Sequence, residues 1–147
     1  MKIFVIAFLF FLAGCGGVDG EIHAISDYPL FIQCQDGCDP SFINEASQWW
    51  SFQTGIQMFK ITQEEGDILI APKATQEELE GLGGVAEFFN GQCVIHLKEF
   101  PNTWLIAHEL GHCLGLPHDS VFNSVMNPAL NGDSLILTQE NKSLLGF

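Results

Sequence analysis

Twelve residues, HELGHCLGLPHD (His108–Asp119), restrict the folds open to this chain more than any other stretch. His108 and His112 are four residues apart, so on a helix both imidazoles share one face, about one turn apart. Asn102 can cap that helix, which is expected to start near Thr103 and run to about Leu114. Two nitrogens so placed reach a single ion at about 2.0–2.1 Å. Gly115 can take the left-handed conformation that ends a helix, and the chain then doubles back with Pro117 stiffening the return. His118 is thereby placed as a third ligand. Glu109 points to the flank of the site, where it can hold a water without ligating. Three protein ligands and an open fourth position are the arrangement of catalytic zinc, whereas structural sites are closed. The plain alternative is a helix with surface histidines and a glycine stop, and the ordered set of five residues outweighs it. His23 and His96 each stand alone and read as strand or loop histidines.

The first residues read differently. Lys2 is a short positive region and Ile3 to Leu12 is an apolar run, too short for a comfortable span and the length of a signal segment. The LAGC that follows (Leu12–Cys15) resembles the bacterial lipobox, whose cysteine becomes the lipidated first residue of the mature protein. This divides the chain into a signal peptide (1–14), a lipidated Cys15 with a glycine-rich tether (15–26), and one domain (27–147). The expected location is the cell envelope of a bacterium, at the outer membrane where one exists. Removing residues 1–14 takes away Lys2 and no acid, moving the formal charge from −13 to −14. With no arginine and so few lysines, the chain lacks the cations that phosphate neutralisation needs, so nucleic acid is not an expected partner. Export permits disulfides among Cys34, Cys38, Cys93 and Cys113, and the three pairings stay open. Cys34–Cys38 is the easiest local loop, and Cys93–Cys113 would then pin a strand to the histidine helix.

At 147 residues the chain suffices for one domain with its own core. Strands are expected over Tyr28–Cys34, Ile56–Gln63 and within GDILIAP, and two more about a turn at Asn90-Gly91. A helix from Asp39 to Gly55 would bury Phe42, Ala46, Trp49 and Trp50 as one stripe. QEELEGLGG (residues 76–84) reads as a surface loop, and a last short helix begins after Thr138. The fold class is α+β, a mixed α/β layout with one sheet.

HELGHCLGLPHD resembles the metzincin zinc signature HExxHxxGxxH. SVMNP (Ser124–Pro128) matches the methionine turn of that group, with Met126 in the methionine position. GDILIAP, GLGGVAEFFNGQCVIHLKEF and LTQENKSLLGF resemble the cleft strand, edge-strand region and C-terminal helix of the matrixin branch, so the similarity covers roughly residues 27–147. Asp119 departs from it, since matrixins usually carry Ser there and adamalysins Asp.

The resemblance implies a twisted, mostly parallel sheet with an antiparallel edge strand, an active-site helix and a short C-terminal helix. It implies a zinc endopeptidase in which Glu109 activates a water bound to the zinc held by His108, His112 and His118, with Met126 as the floor. Substrate would add to the edge strand near Val85, Ala86, Glu87 and Phe88, with Leu114 shaping the specificity pocket. One catalytic ion is expected; calcium and a structural zinc are not supported, because the usual His and Asp partners of His96 are not evident. Little chain separates Cys15 from the domain, so latency through a propeptide cysteine is not expected. Expected partners are protein or peptide substrates and, through the lipid, the membrane, with the chain acting as a monomer. The rival reading is a catalytically silent zinc-binding surface lipoprotein, which would have no need of Glu109.

Overall fold

The computed structural model describes residues 27–35, 38–71, 79, 82–98, 101–130 and 134–147. The readings made above at Lys2, Ile3–Leu12, Cys15 and His23 lie outside them. In chain order the elements are β1 (Leu30–Cys34), α1 (Pro40–Thr54), β2 (Phe59–Thr62), β3 (Ile68–Ile70), β4 (Gly84–Phe89), β5 (Gln92–Leu97), α2 (Thr103–Cys113) and α3 (Gln139–Leu144). The strands form one sheet in the order β2-β1-β3-β5-β4. All neighbours are parallel except β4 and β5, which pair antiparallel and leave β4 at the edge. The architecture is therefore mixed α+β with a mostly parallel sheet and an antiparallel edge strand.

Local chemistry explains most of these elements. In β5 the residues Cys93, Ile95 and Leu97 are buried while Gln92, Val94 and His96 face the other way, the period-two pattern of a sheet with one packed face. Asn90 and Gly91 both have positive φ, 52° and 83°, which matches the right-handed twist of the β4–β5 hairpin. Asp39 caps α1 by accepting from the Ser41 N–H at 2.9 Å, and Pro40 occupies the first turn. Gly55, at φ 79°, closes the helix with an N–H bond to the Ser51 carbonyl.

Two expectations need correcting. The buried face of α1 is Ile43, Ala46, Ser47 and Trp50, so the stripe is rotated from the expected one and Phe42 and Trp49 sit on its flank. Trp49 instead meets Trp104 of α2 edge-on, with ring centroids 6.0 Å apart. Ser47 tolerates burial because its hydroxyl donates to the Ile43 carbonyl at 2.7 Å, within its own helix. The second correction is Leu79, buried within the segment read as a surface loop.

The helix that carries the histidines is enclosed. Every residue of α2 from Leu105 to Cys113 is buried, because α1, the sheet and the chain after α2 cover it on all sides. Trp50 donates its indole N–H to the Ala107 carbonyl at 3.0 Å, and Thr103 donates its hydroxyl to Glu45 at 2.6 Å, so α1 and α2 are joined at two levels. A Cys93–Cys113 disulfide ties β5 to the last turn of α2, and Cys34 is joined to Cys38 between β1 and α1. No helix among the described residues is long and apolar enough to cross a membrane.

Candidate metal centre

Asn102 caps α2 by accepting from the Leu105 N–H at 2.8 Å, which sets the helix phase that His108 and His112 inherit. At the other end Gly115 takes φ 85°. Its N–H reaches the His112 carbonyl at 2.9 Å and the Leu116 N–H reaches the Gly111 carbonyl at 3.0 Å, which reverses the chain. That reversal returns His118 to the helix pair. The three Nε2 atoms lie 3.2 Å (His108–His112), 3.0 Å (His112–His118) and 3.2 Å (His108–His118) apart.

These short contacts are not hydrogen bonds throughout. His108 Nδ1 lies 2.6 Å from the Val125 carbonyl and His112 Nδ1 lies 3.0 Å from the Leu116 carbonyl. A carbonyl only accepts, so each Nδ1 carries the proton and each Nε2 presents a lone pair. Facing lone pairs at 3.2 Å repel unless a cation lies between them. Tetrahedral zinc with bonds of about 2.0–2.1 Å sets its nitrogens about 3.3–3.4 Å apart, within a few tenths of the spacing found. The donor set therefore fits zinc, and His108, His112 and His118 are the only group of three or more metal-ligating side chains gathered among the described residues. Burial pushes the pKa of His108 down to about 4 and that of His112 down to about 3, helped at His112 by the neighbouring His108 and His118; burial lowers that of His118 as well. All three are thus neutral near pH 7, the form that binds a metal.

Glu109 is completely buried. It lies against the first residue of β4, for a Cβ at Gly84 would come within 2.9 Å of Glu109 Oε1 and 3.2 Å of the His96 carbonyl oxygen. The glycine leaves space for the Glu109 carboxylate against the edge strand. Met126 is also fully buried, and a Cβ at Gly111 would collide with its Sδ and lie 3.3 Å from Trp50. Met126 is thereby packed under α2 beside the turn that bears His112.

Residues 96–143 match a family model described as Matrixin, a span running from β5 through α2 to α3. Over that span the chain is similar to the matrixins, and the three-histidine group agrees with that likeness. No curated protein matches it. Family likeness and the three-histidine group together support a zinc metalloprotease.

Other residues named from the sequence lie around this matrixin-like centre in different ways. Val85, Ala86, Glu87 and Phe88 form the body of the edge strand, with Ala86 buried, Val85 and Phe88 half-buried and Glu87 exposed. Leu114 has no exposed surface and belongs to the core. His96 is half-buried on the other face of β5, opposite Val85, and is not gathered with the three histidines. Sequence reasoning missed Gly84, Gly111 and Asn141. The double glycine Gly83-Gly84 and the glycine inside HELGH were the visible signals for the first two. Asn141 carried none beyond its place in the first turn after Thr138.

Proposed function

We propose that the chain is a zinc-dependent endopeptidase that hydrolyses peptide bonds in protein substrates. The observation that carries this reading is the convergence of the His108, His112 and His118 Nε2 atoms at a helix whose residue after His108, Glu109, is buried. His108, His112 and His118 would hold one zinc ion, which would supply Lewis-acid polarisation of the reacting water and carbonyl. Glu109 accepts the proton of the attacking water as general base and delivers it to the leaving amine as general acid. Its burial and the clearance at Gly84 hold the carboxylate against the edge strand β4. Val125 and Leu116 fix the imidazole rings through their carbonyls, so the Nε2 atoms stay aimed at one point.

An extended substrate has a place to lie. Among the described residues β4 pairs only with β5 in the sheet, so its outer edge offers main-chain groups for an added strand. The anchored form follows from the lipobox-like LAGC: a lipid on Cys15 and a tether to residue 26 would hold a monomeric protease at the bacterial envelope, facing protein substrates.

A Glu109→Ala variant tests the mechanism. It is expected to keep its zinc and to lose cleavage of an unfolded protein by about 10²–10⁴-fold. Cleavage at the parent rate would remove Glu109 from the chemistry. A zinc-loaded parent that cleaves no member of a broad peptide library would instead identify a silent zinc-binding lipoprotein. Palmitate labelling that survives Cys15→Ser would refute the anchor.

A further inference from the structure

We propose that Asn141 and Asp119 form a positioning pair through which the C-terminal helix sets the zinc affinity of the three-histidine centre. This rests on the reading of His108, His112 and His118 as zinc ligands.

Asp119 follows the third histidine directly. Its Oδ2 accepts from the Ser124 hydroxyl at 2.6 Å and from the Asn141 amide at 2.9 Å, while its Oδ1 accepts from the Val121 N–H at 3.1 Å. A carboxylate only accepts, so the Asn141 amide nitrogen must face it. Ser124 and Asn141 are almost completely buried, at 0% and 2% exposure, so their two bonds to the half-buried Asp119 are part-shielded from water, whereas the Val121 bond is exposed. Ser124 Oγ accepts in turn from the Met126 N–H at 3.1 Å, and the Asp119 N–H returns to the Met126 carbonyl at 3.1 Å. Between Ser124 and Met126 stands Val125, whose carbonyl holds His108.

One network therefore touches two of the three ligands, His118 through its neighbour Asp119 and His108 through Val125. His112 is held separately, by Leu116. Asn141 is the only member contributed by α3, and it reaches Asp119 across 22 positions of sequence. A bond from a charged acceptor to a donor of fixed length sets position as well as adding energy. If Asn141 lets go, Asp119 keeps its local bonds but loses its strut. The turn then holds His108 and His118 less firmly while His112 is undisturbed.

The test uses the full chain, with zinc affinity read by competition against a chelator, the visible bands of the cobalt(II)-loaded protein, and the thermal midpoint. Asn141→Ala is expected to weaken zinc binding about tenfold or more and to shift the cobalt bands. Asn141→Asp keeps the shape but sets a second carboxylate against Asp119, and it should lose affinity in the same way; it serves if the alanine variant does not fold. Thr138→Ala removes the cap of the same helix, whose hydroxyl accepts from the Asn141 N–H at 3.2 Å. It should lower the thermal midpoint but cost less zinc affinity than Asn141→Ala, because the Asn141 amide can still donate to Asp119. Asp119→Ala combined with Asn141→Ala should lose no more than Asp119→Ala alone. Parent-like affinity in both Asn141 variants, an equal loss in Thr138→Ala, or additive losses in the double variant would each overturn the proposal. A parent chain that takes up no zinc overturns both this and the zinc reading beneath it.

Discussion

The two sides of the metal centre are built from different materials. His108 and His112 sit on α2, which is wrapped in apolar side chains, joined to α1 through Trp50 and stapled to β5 through Cys93–Cys113. His118 and Met126 sit on irregular chain that adds to its buried Val125 and Met126 a set of hydrogen bonds among Asp119, Ser124 and Asn141. Apolar burial is strong but undirected, so it determines whether the helix stays in place. Hydrogen bonds contribute less but fix distances and angles, so they determine how well the third ligand meets the other two. Lesions on the helix side should therefore cost mostly stability, and lesions on the turn side mostly metal affinity.

The largest test of this contrast is Trp50→Ala. Trp50 is completely buried and donates its indole N–H to the Ala107 carbonyl, so its removal leaves a cavity between α1 and α2. The expected loss is about 3–5 kcal/mol in urea unfolding of the metal-free protein. A loss no larger than that of Thr138→Ala would show that the helix side does not depend on this packing. Next comes Cys93→Ala with Cys113→Ala. The bridge closes a loop with a sequence separation of 20, for which chain entropy predicts a loss of about 3 kcal/mol. Zinc affinity of the folded variant should change less than in Asn141→Ala. The reverse order would mean that the staple, and not the polar network, sets ligand geometry.

How much of this was legible depended on distance along the chain. The α2 cap at Asn102, the left-handed Gly115, the Asn90-Gly91 hairpin and the Thr138 cap could all be read, because each is decided by residues within a few positions. The three-histidine cage was readable for the same reason, since His108 to His118 is one helix end and one reversal. The α1 stripe was misread by one position because Phe42 and Ile43 suit a buried face equally on hydrophobicity. The choice between them is made by tertiary packing, which buries Ile43 and leaves Phe42 on the flank. Gly84, Gly111 and Asn141 were not legible as site residues. Each matters through a close approach to a distant segment: Gly84 to Glu109, Gly111 to Met126, and Asn141 to Asp119. A glycine in a strand or helix shows that something comes close, without showing what.

The smallest expected effect concerns protons on the helix side. The folded pKa values of His108 and His112, about 4 and about 3, lie below the ordinary value of 6.5. Below that ordinary value the unfolded chain binds protons that the folded, metal-free chain refuses, so stability is full above about 6.5 and is lost as pH falls towards those folded values. From pH 7 to pH 6 the two histidines together should remove on the order of 1 kcal/mol. The whole-chain curve will not show this cleanly, because an acid-rich protein at a formal −13 loses self-repulsion over the same range and gains stability. The informative quantity is the difference between the metal-free parent and a His108→Leu, His112→Leu variant, measured by urea unfolding at each pH. The acidic background is common to both and cancels, leaving the histidine contribution. A difference that stays constant between pH 7 and pH 5 would mean that the two rings take up protons in the fold as readily as in the unfolded chain. The helix side would then be open to water, and the contrast drawn between an apolar side and a polar side would fail at the ligands themselves.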